Sequence, residues 1–348
     1  MTVRELASGI DAFYLSGRVD LEDSFLRGLE RARDRARAID EPVPYRLGGI
    51  EFGLTAHGWG RYGFRLSHEY GLIGFTNSKN LPAIRVQPRA ELLHGLGPGA
   101  AVDSFCDLLA FIGDIQWGTS RLDLFADVQG WWPSVAERER FICRAKTRDT
   151  FEESGQLTGF QFGRRKGGGL SARVYEKSSQ MAKTGAEWWR DVWGDSYREG
   201  EPVARIEFEF GRTVLRECRV DSPDDAFEKA AGLWGYATEW LSYRDPSTDG
   251  TRSRWPISSD WDAIRTVSLR DRAVTVERTT AVRQAVAERR IIAGLCGYLS
   301  AWAALRNIDT LGESLSGVES VLRLWEEETG IPFTDRVKKK RRAWELGL

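Results

Sequence analysis

Ionisable residues alternate with apolar ones in three short stretches of the sequence, and this alternation could place a reactive hydroxyl beside charged groups. In residues 171–177, SARVYEK, the side chains of Arg173, Tyr175 and Lys177 share one face if the stretch is a β-strand, because alternate strand side chains point the same way. Nearby cations favour the phenolate, which is the nucleophilic form of tyrosine. A strand tyrosine that only packs against its neighbours is the competing interpretation.

Two further stretches, RLDLFADV and VARIEFEF, carry carboxylates and arginines in the same alternation. Their ionisable residues are Arg121, Asp123, Asp127, Arg205, Glu207 and Glu209. If the three strands are neighbours in one sheet, these groups and Tyr175 converge on a single surface.

Carboxylates that face one another across strands repel, so such clusters usually bind a cation or contact arginines. An all-oxygen site suits Mg²⁺ or Mn²⁺. The preferred ligands are Asp127 and Glu207, with Asp123 next. Ion pairs between these acids and the arginines of adjacent strands are an equally compatible interpretation.

A basic, glycine-rich segment separates the Tyr175 strand from a predicted strand at 157–163. It reads Arg164, Arg165 and Lys166 followed by three glycines, which let a backbone approach phosphates closely while the cations attract them. A hairpin tip that is basic only for solubility is the alternative.

Two other features could contact nucleic acid. Five tryptophans could stack unpaired bases, although core packing is their more common role. They are Trp131, Trp132, Trp188, Trp189 and Trp193. The basic run at 338–342 more often forms a solvated face than a nucleic-acid contact.

Composition bounds the class of protein. The 348 residues are 41% hydrophobic and 29% charged, which is typical of globular proteins. The formal charge of −1 argues against a protein that merely coats nucleic acid. The absence of a long apolar run predicts no membrane partner and a cytoplasmic location. The four scattered cysteines fit reduced thiols.

The elements that must position these groups form an α+β pattern: a mainly antiparallel central sheet with flanking helices, followed by a C-terminal helical bundle. Strands are predicted near 10–17, 49–55, 61–67, 71–76 and 83–88, besides those named above. Helices are predicted at 21–38, 101–115, 134–148, 223–243, 259–270, 279–305 and 313–329. The polar stretch 245–254 suggests a linker between a domain at 1–245 and a helical domain at 255–348 with a basic tail.

The order of these motifs resembles the Rep_trans family, the rolling-circle replication initiators of small plasmids, and the related relaxases of integrative and conjugative elements. RLDLFAD, a strand ending in QFG, RVYEK and RIEFEF follow one another over residues 121–210. The chain departs from the family pattern at Gln161, where an aromatic residue is expected.

The resemblance implies a metal-dependent DNA nicking and joining enzyme. Tyr175 would attack the scissile phosphate and keep a 5′-phosphotyrosyl link, while Arg173 and Lys177 offset the developing charge. Asp127 and Glu207 would hold the ion. The histidines, at 57, 68 and 94, form no His-x-His pair, so the metal site would depend on carboxylates.

The partners follow from the same resemblance. Origin DNA, double-stranded and melted, is the expected substrate, with Arg121 and Arg205 adding contacts. A host helicase and a homodimer are compatible, though no motif encodes either. Tyr197, Tyr236 and Tyr243 remain alternative nucleophiles. A relaxase with the same chemistry, a non-catalytic origin-binding protein and a nuclease that uses water stay open.

Overall fold

The structure, a computed structural model, describes residues 2–165, 167–270, 292 and 295–345, without the side chains of 270, 339, 340 and 342–345. It divides into two compact units, residues 1–279 and 280–348. Lys166 and most of 279–294, the first half of the helix predicted at 279–305, lie outside the described residues.

The α+β class is confirmed. Among the described residues, the first unit contains an eleven-stranded sheet in which every pairing is antiparallel. Its strands in chain order are β1 Arg4–Arg18, β2 Val43–Leu47, β3 Ile50–Leu54, β4 Phe64–His68, β5 Gly71–Phe75, β6 Ile84–Pro88, β7 Gln116–Gln129, β9 Arg148–Glu153, β10 Gln156–Phe162, β11 Leu170–Glu176 and β12 Ala204–Gly211. The order across the sheet is β2-β3-β4-β5-β6-β1-β7-β12-β11-β10-β9.

Helices cover parts of both faces of the sheet. They are α1 Asp23–Ile39, α2 Ala90–Leu96, α3 Pro98–Leu109, α4 Lys177–Thr184, α5 Trp189–Trp193, α6 Arg212–Glu217, α7 Pro223–Trp240 and α8 Ser259–Arg265. On α1 the residues Leu29, Ala32 and Ala36 are buried, as the three- and four-residue spacing of an amphipathic helix requires. The long helix α7 packs over the sheet, where Trp234 meets Phe208 edge to face with ring centroids 5.2 Å apart.

The central strands separate a core face from an ionic face. Leu122, Leu124 and Ala126 of β7 are fully buried in the main core, and Ile206 and Phe208 of β12 join them. The alternate residues of both strands point to the opposite side, because strand side chains alternate between faces. The apolar half of each motif therefore anchors its ionic half in place.

The helix predicted at 134–148 is wrong. The capping box of Ser134 and Glu137 is present, but it opens only a short 3₁₀ turn, Val135–Arg140. The chain then forms β8, Phe141–Cys143, which pairs with β13, Leu241–Tyr243. Phe141 is fully buried and contacts Tyr243 at 4.9 Å, so burial of this aromatic pair overrides the local helix signal.

The first compact unit extends beyond residue 245, where the sequence suggested a linker. Arg244 forms a β-bridge with Ile257, and Ser258 caps α8. Trp261 is fully buried and donates its indole N–H to the carbonyl of Thr238. Residues 255–270 thus lie in the first compact unit, and Trp261, Ile264 and Val267 join its core.

The second unit is helical where it is described. Residues 295–306 are helical, and helices Leu311–Thr329 and Phe333–Glu345 follow. The guanidinium of Arg336 lies 3.7 Å from the ring centroid of Trp325. The basic run at 338–342 falls within the last of these helices.

Among the described residues, no single helix has the length and apolar character to cross a membrane. The bent pair Ala90–Leu96 and Pro98–Ile112 passes that test together, on length and composition alone.

Candidate active site

The three strands that carry the ionic motifs are neighbours, as expected. β12 lies between β7 and β11, and the register places Arg173 opposite Glu207 and Tyr175 opposite Arg205. Arg205 in turn lies opposite Asp127 on β7. The ionic residues therefore meet on one face of the sheet, and the arrangement of individual pairs decides what they can do.

Arg205 and Asp127 form a buried ion pair. The guanidinium donates from Nε to Oδ1 of Asp127 at 2.6 Å and from Nη2 to Oδ2 at 2.7 Å. Trp193 adds an indole hydrogen bond to Oδ2 at 2.8 Å, and both side chains of the pair are fully buried. Asp127 thus accepts three hydrogen bonds, and a metal ion could bind it only if Arg205 and Trp193 both moved away. Arg205 is likewise too enclosed for the predicted contact with DNA.

Asp11 is a site residue that the sequence analysis missed. It lies at a register shift between Ile10 and Ala12 of β1, where the extra residue of a β-bulge re-aims a side chain. Its Oδ1 accepts a hydrogen bond from Nη1 of Arg205 at 2.7 Å. Burial raises the pKa of Asp11, but the Arg205 charge, together with His94 and the Lys177 charge, outweighs burial, and the net pKa is lowered. The available signal was that Asp11 is the one acid in the strand predicted near 10–17.

Tyr175 contacts Glu207 directly. The phenolic hydroxyl lies 3.2 Å from Oε2 of Glu207, and Arg173 forms a salt bridge with Oε1 of the same carboxylate. The Arg173 guanidinium is also 4.9 Å from the centre of the Tyr175 ring. Burial and the Glu207 charge raise the pKa of Tyr175 well above 10. The hydroxyl is therefore protonated at neutral pH and has a carboxylate in place to accept its proton.

Lys177 reaches the site from a different element than predicted. β11 ends at Glu176, and Lys177 is the first residue of α4. Its ammonium donates to Oε1 of Gln180 at 2.8 Å and lies 4.6 Å from the ring centre of Trp189. Burial, and next the Arg205 charge, lower the pKa of Lys177 to about 8.

A cavity of about 600 Å³ opens beside Tyr175. Its lining includes Asp11, Gln161, Arg173, Tyr175, Lys177 and Trp188. Beneath it lies a small apolar cluster separate from the main core. The buried members of this cluster are Phe125, Met181, Trp189, Trp193 and Val203. The cavity thus presents the Tyr175 hydroxyl together with Arg173 and Lys177 above an apolar base.

The remaining acids lie deeper, next to arginines. Asp123 accepts hydrogen bonds from Arg121, which also pairs with Glu209 at 3.0 Å. Burial raises the pKa of Asp123 to about 7, with Glu207 and Glu209 adding to the shift and Arg121 opposing it. Asp123 and Glu207 are 1% and 2% exposed, so arginines currently supply their counter-charge.

The donor set fits a divalent ion only in part. In the part of the chain that the structure describes, no three His, Cys, Asp or Glu side chains are arranged to hold a metal ion. Asp123 and Glu207 have the hard oxygen donors that Mg²⁺ prefers and the mutual repulsion that a cation relieves. Mg²⁺ is often held by one or two carboxylates together with substrate phosphates. Asp123 and Glu207 could therefore bind it without a third protein ligand.

The basic loop has a defined attachment to the sheet. Thr213 and Gly211 donate backbone hydrogen bonds to the carbonyls of Gly168 and Gly169, each at 3.0 Å. Arg164 is exposed, whereas Arg165 pairs with Glu209 at 3.2 Å. Of the predicted DNA contacts, Arg164 is therefore the one most open to a partner in the described part of the loop.

The tryptophans and the other tyrosines are mostly structural. Trp131, Trp189 and Trp193 are at most 7% exposed, whereas Trp132 and Trp188 are partly exposed. Tyr243 is buried in β13, not on a helix, and donates to Glu137 at 2.9 Å. Tyr197, Tyr236 and Tyr243 lie outside the lining of the Tyr175 cavity.

Comparison with known proteins finds a likeness among solved structures. No protein-family model and no curated protein matches the chain. Among solved structures, the chain resembles a rolling-circle replication initiator protein from Geobacillus stearothermophilus, with 12% sequence identity and a TM-score of 0.43. The match covers 76% of this chain and 96% of that one.

Proposed function

We propose that this protein is a replication initiator that nicks and rejoins DNA of a mobile element, with Tyr175 as the nucleophile. The observation that carries the proposal is the contact between the Tyr175 hydroxyl and Oε2 of Glu207 at the wall of a cavity that also holds Arg173 and Lys177. The nucleophile and the cations then line one pocket, and the proton acceptor is in direct contact with the nucleophile. The motif resemblance to Rep_trans initiators supports the same assignment.

The reaction is a transesterification. The Tyr175 oxygen attacks the phosphorus of one phosphodiester, and its proton passes to Glu207. The bond from phosphorus to the 3′-oxygen breaks, and Lys177 donates a proton to the departing 3′-oxygen. The 5′-phosphate remains on Tyr175, and Arg173 offsets the charge that develops on the phosphoryl oxygens. Attack of a 3′-hydroxyl on the phosphotyrosine reverses these steps, so joining needs no ATP.

The buried Arg205 network positions this machinery. Arg205 lies opposite Tyr175 in the register, and its guanidinium stacks on Trp189 at 3.9 Å and bonds both Asp127 and Asp11. Because Lys177 also contacts the Trp189 ring, the network sets the location of the lysine ammonium. Asp127, Arg205 and Asp11 are therefore positioning residues.

We assign metal binding, in this proposal, to Asp123 and Glu207. A bound Mg²⁺ or Mn²⁺ would supply Lewis-acid polarisation of a phosphate oxygen. Asp123 and Glu207 lie on adjacent strands of the ionic face, and their repulsion is relieved at present by Arg121 and Arg173. Asp127 is left out of this set because the fully buried Arg205 and a third hydrogen bond from Trp193 hold it, whereas Arg121, which pairs with Asp123, is partly exposed.

Formation of a covalent adduct tests the proposal. The full chain is incubated with Mg²⁺ or Mn²⁺ and labelled single-stranded oligonucleotides tiled across the DNA that flanks its gene. Denaturing gels then separate free DNA from DNA attached to protein. We expect adducts with the wild-type chain and none with Tyr175→Phe, which keeps the ring but lacks the hydroxyl.

Tyr197→Phe is the matched control, because Tyr197 packs on Trp193 outside the cavity lining. It should form adducts at the wild-type level. Adducts that persist in Tyr175→Phe would move the nucleophile elsewhere. Cleavage without any adduct would indicate a nuclease that uses water, and binding without cleavage would indicate a non-catalytic origin-binding protein. A relaxase would behave as the initiator does in this assay, and its substrate would map to a transfer origin.

A further inference from the structure

A second cavity, of about 980 Å³, lies on the same sheet face and has no part in the chemistry proposed above. Its floor includes Tyr14 of β1 and Arg85 of β6, two strands that pair with each other. Tyr14 is also opposite Arg121 of β7, on the other side of β1. Arg121 and Glu209 also line it, each two residues along its strand from Asp123 or Glu207. The cavity, here called the arginine cleft, therefore adjoins the ionic face beside Tyr175.

The arginine cleft is positively charged although the chain as a whole is not. Six arginines and three acids line it, whereas the formal charge of the chain is −1. Arg121 and Arg212 pair with acids, but four arginines form no salt bridge with any described residue. These four are Arg18, Arg61, Arg85 and Arg216. Unpaired cations concentrated in one concave surface favour a polyanionic ligand.

The crowding of these cations is visible at Arg212. Burial, and next the nearby Arg216 charge, lower the pKa of Arg212, and Arg18 adds to the effect. A bound phosphate would relieve this repulsion. The cleft therefore has a physical reason to bind anions beyond the mere number of its arginines.

Aromatic rings form one wall of the arginine cleft. Trp59 is partly exposed, and the Arg85 guanidinium lies 3.8 Å from its ring centroid and 5.2 Å from that of Tyr14. Trp59 and Tyr62 flank a tight turn that rests on Gly74 of β5. A Cβ at Gly74 would come within 3.2 Å of both aromatic side chains, so the glycine lets the turn lie against the sheet. The partly exposed Trp59 ring is thus held in place at the cleft, whereas Tyr62 is buried beneath it.

We propose that the arginine cleft binds single-stranded DNA adjoining the phosphodiester that Tyr175 attacks. This inference rests on the proposed function for its choice of DNA. The cleft combines cations for the backbone with the fixed, partly exposed ring of Trp59, and base stacking on such a ring needs unpaired bases. Duplex DNA presents no free base face to Trp59, so the combination favours the melted strand.

Binding to a fluorescent 20-nucleotide oligo-dT tests the inference, measured by anisotropy with the full chain at several salt concentrations. We expect Trp59→Ala and Arg85→Ala each to weaken binding about ten-fold, in line with the loss of one stacking or cationic contact. Arg85→Ala should also reduce the slope of log affinity against log salt by about 0.7. Trp59→Phe, which keeps a ring, should stay close to wild type.

Arg27→Ala is the matched control, since Arg27 is exposed on α1 outside the cleft, and it should change affinity less than two-fold. Far-ultraviolet circular dichroism and thermal melts verify that each variant is folded. Unchanged binding by folded Trp59→Ala and Arg85→Ala would overturn the inference, as would tighter binding of duplex DNA or of an RNA of the same length. If the wild type forms Tyr175 adducts in that case, the proposed function stands and only the cleft assignment fails. If binding depends on the cleft but no adducts form, the cleft assignment stands and the proposed function fails.

Discussion

Arg205 holds Asp127 through two hydrogen bonds in a fully buried pair, at the place where the sequence predicted a metal ligand and a DNA contact. The two residues face each other across adjacent strands, and Trp193 closes the carboxylate from the other side. A buried bidentate pair of this kind leaves no lone pair directed at solvent. The motif residues are therefore divided between those that support the site and those that can react.

Removal of one partner of this pair should destabilise the protein strongly. Asp127→Ala leaves a buried guanidinium with only Asp11 as counter-charge, and we expect a loss of about 3–5 kcal/mol in the free energy of unfolding. Urea denaturation measures the change. Glu187→Ala, which breaks an exposed pair with Arg190, should cost about 0–1 kcal/mol. A loss at Asp127 no larger than that at Glu187 would contradict the structural role given to the pair.

Much of the sheet was predictable from the sequence because its signals are local. The hairpin of β10 and β11 and the strands β3 to β6 lie where alternating runs and turn residues indicated them. The error at 134–148 has a non-local cause, because Phe141 pairs with a strand a hundred residues later. The same reason explains why the sequence pattern places residues 255–270 with the C-terminal helices, whereas they lie in the first compact unit. The sequence does not show that Trp261 packs against α7, because the two are distant along the chain and meet only in the folded protein.

The sequence predicted that the candidate site residues share one face of the sheet, but not which residues contact one another. Alternation alone places Arg173, Tyr175, Arg205 and Glu207 on one side. It does not reveal the register between strands, which decides that Glu207 contacts Tyr175 and that Asp127 contacts Arg205. Asp11 needed a bulge to reach the site, and a bulge has no signature in this sequence.

Lys177 should make stability depend on pH. The pKa of Lys177 is about 8 in the folded protein, below the roughly 10.4 of an unfolded lysine. Below pH 8 the amine is charged in both states, so the folded state bears the full cost of burying it. Between pH 8 and roughly 10.4 the folded state releases the proton first, and this cost disappears.

Lys177→Met should therefore stabilise the protein at pH 7, by an amount on the order of 1–3 kcal/mol, and the gain should vanish near pH 10.5. Urea unfolding of both proteins at pH 7, 9 and 10.5 measures it. Lys183→Met, at an exposed position on the same helix, is the control and should show no such trend. A gain that is equal at all three pH values would show that the lysine charge is not the cause.

Gly211 should control the attachment of the basic loop. A Cβ at this position would lie 2.5 Å from the backbone of Gly168, so Gly211→Ala must displace the loop from β12. We expect a loss of about 1–3 kcal/mol in stability, as for other overpacked sites, and weaker DNA binding through Arg164. Gly169→Ala has open space around its Cβ and is the control. Equal behaviour of the two variants in urea unfolding would exclude the close contact.

Metal binding should depend on Asp123 and not on Asp127. With the Tyr175→Phe chain, which cannot turn over, and a single-stranded oligonucleotide, Mn²⁺ affinity is measurable by electron paramagnetic resonance. We expect Asp123→Asn and Glu207→Gln each to weaken Mn²⁺ binding at least ~10-fold, because each removes one of two carboxylate ligands. Asp221→Asn, at an exposed acid of the arginine cleft, should have no effect. Asp127→Asn should lower stability yet leave the Mn²⁺ affinity of the folded fraction unchanged. If it abolishes Mn²⁺ binding while Asp123→Asn does not, the ligand set proposed from the structure is wrong and the one predicted from the sequence is right.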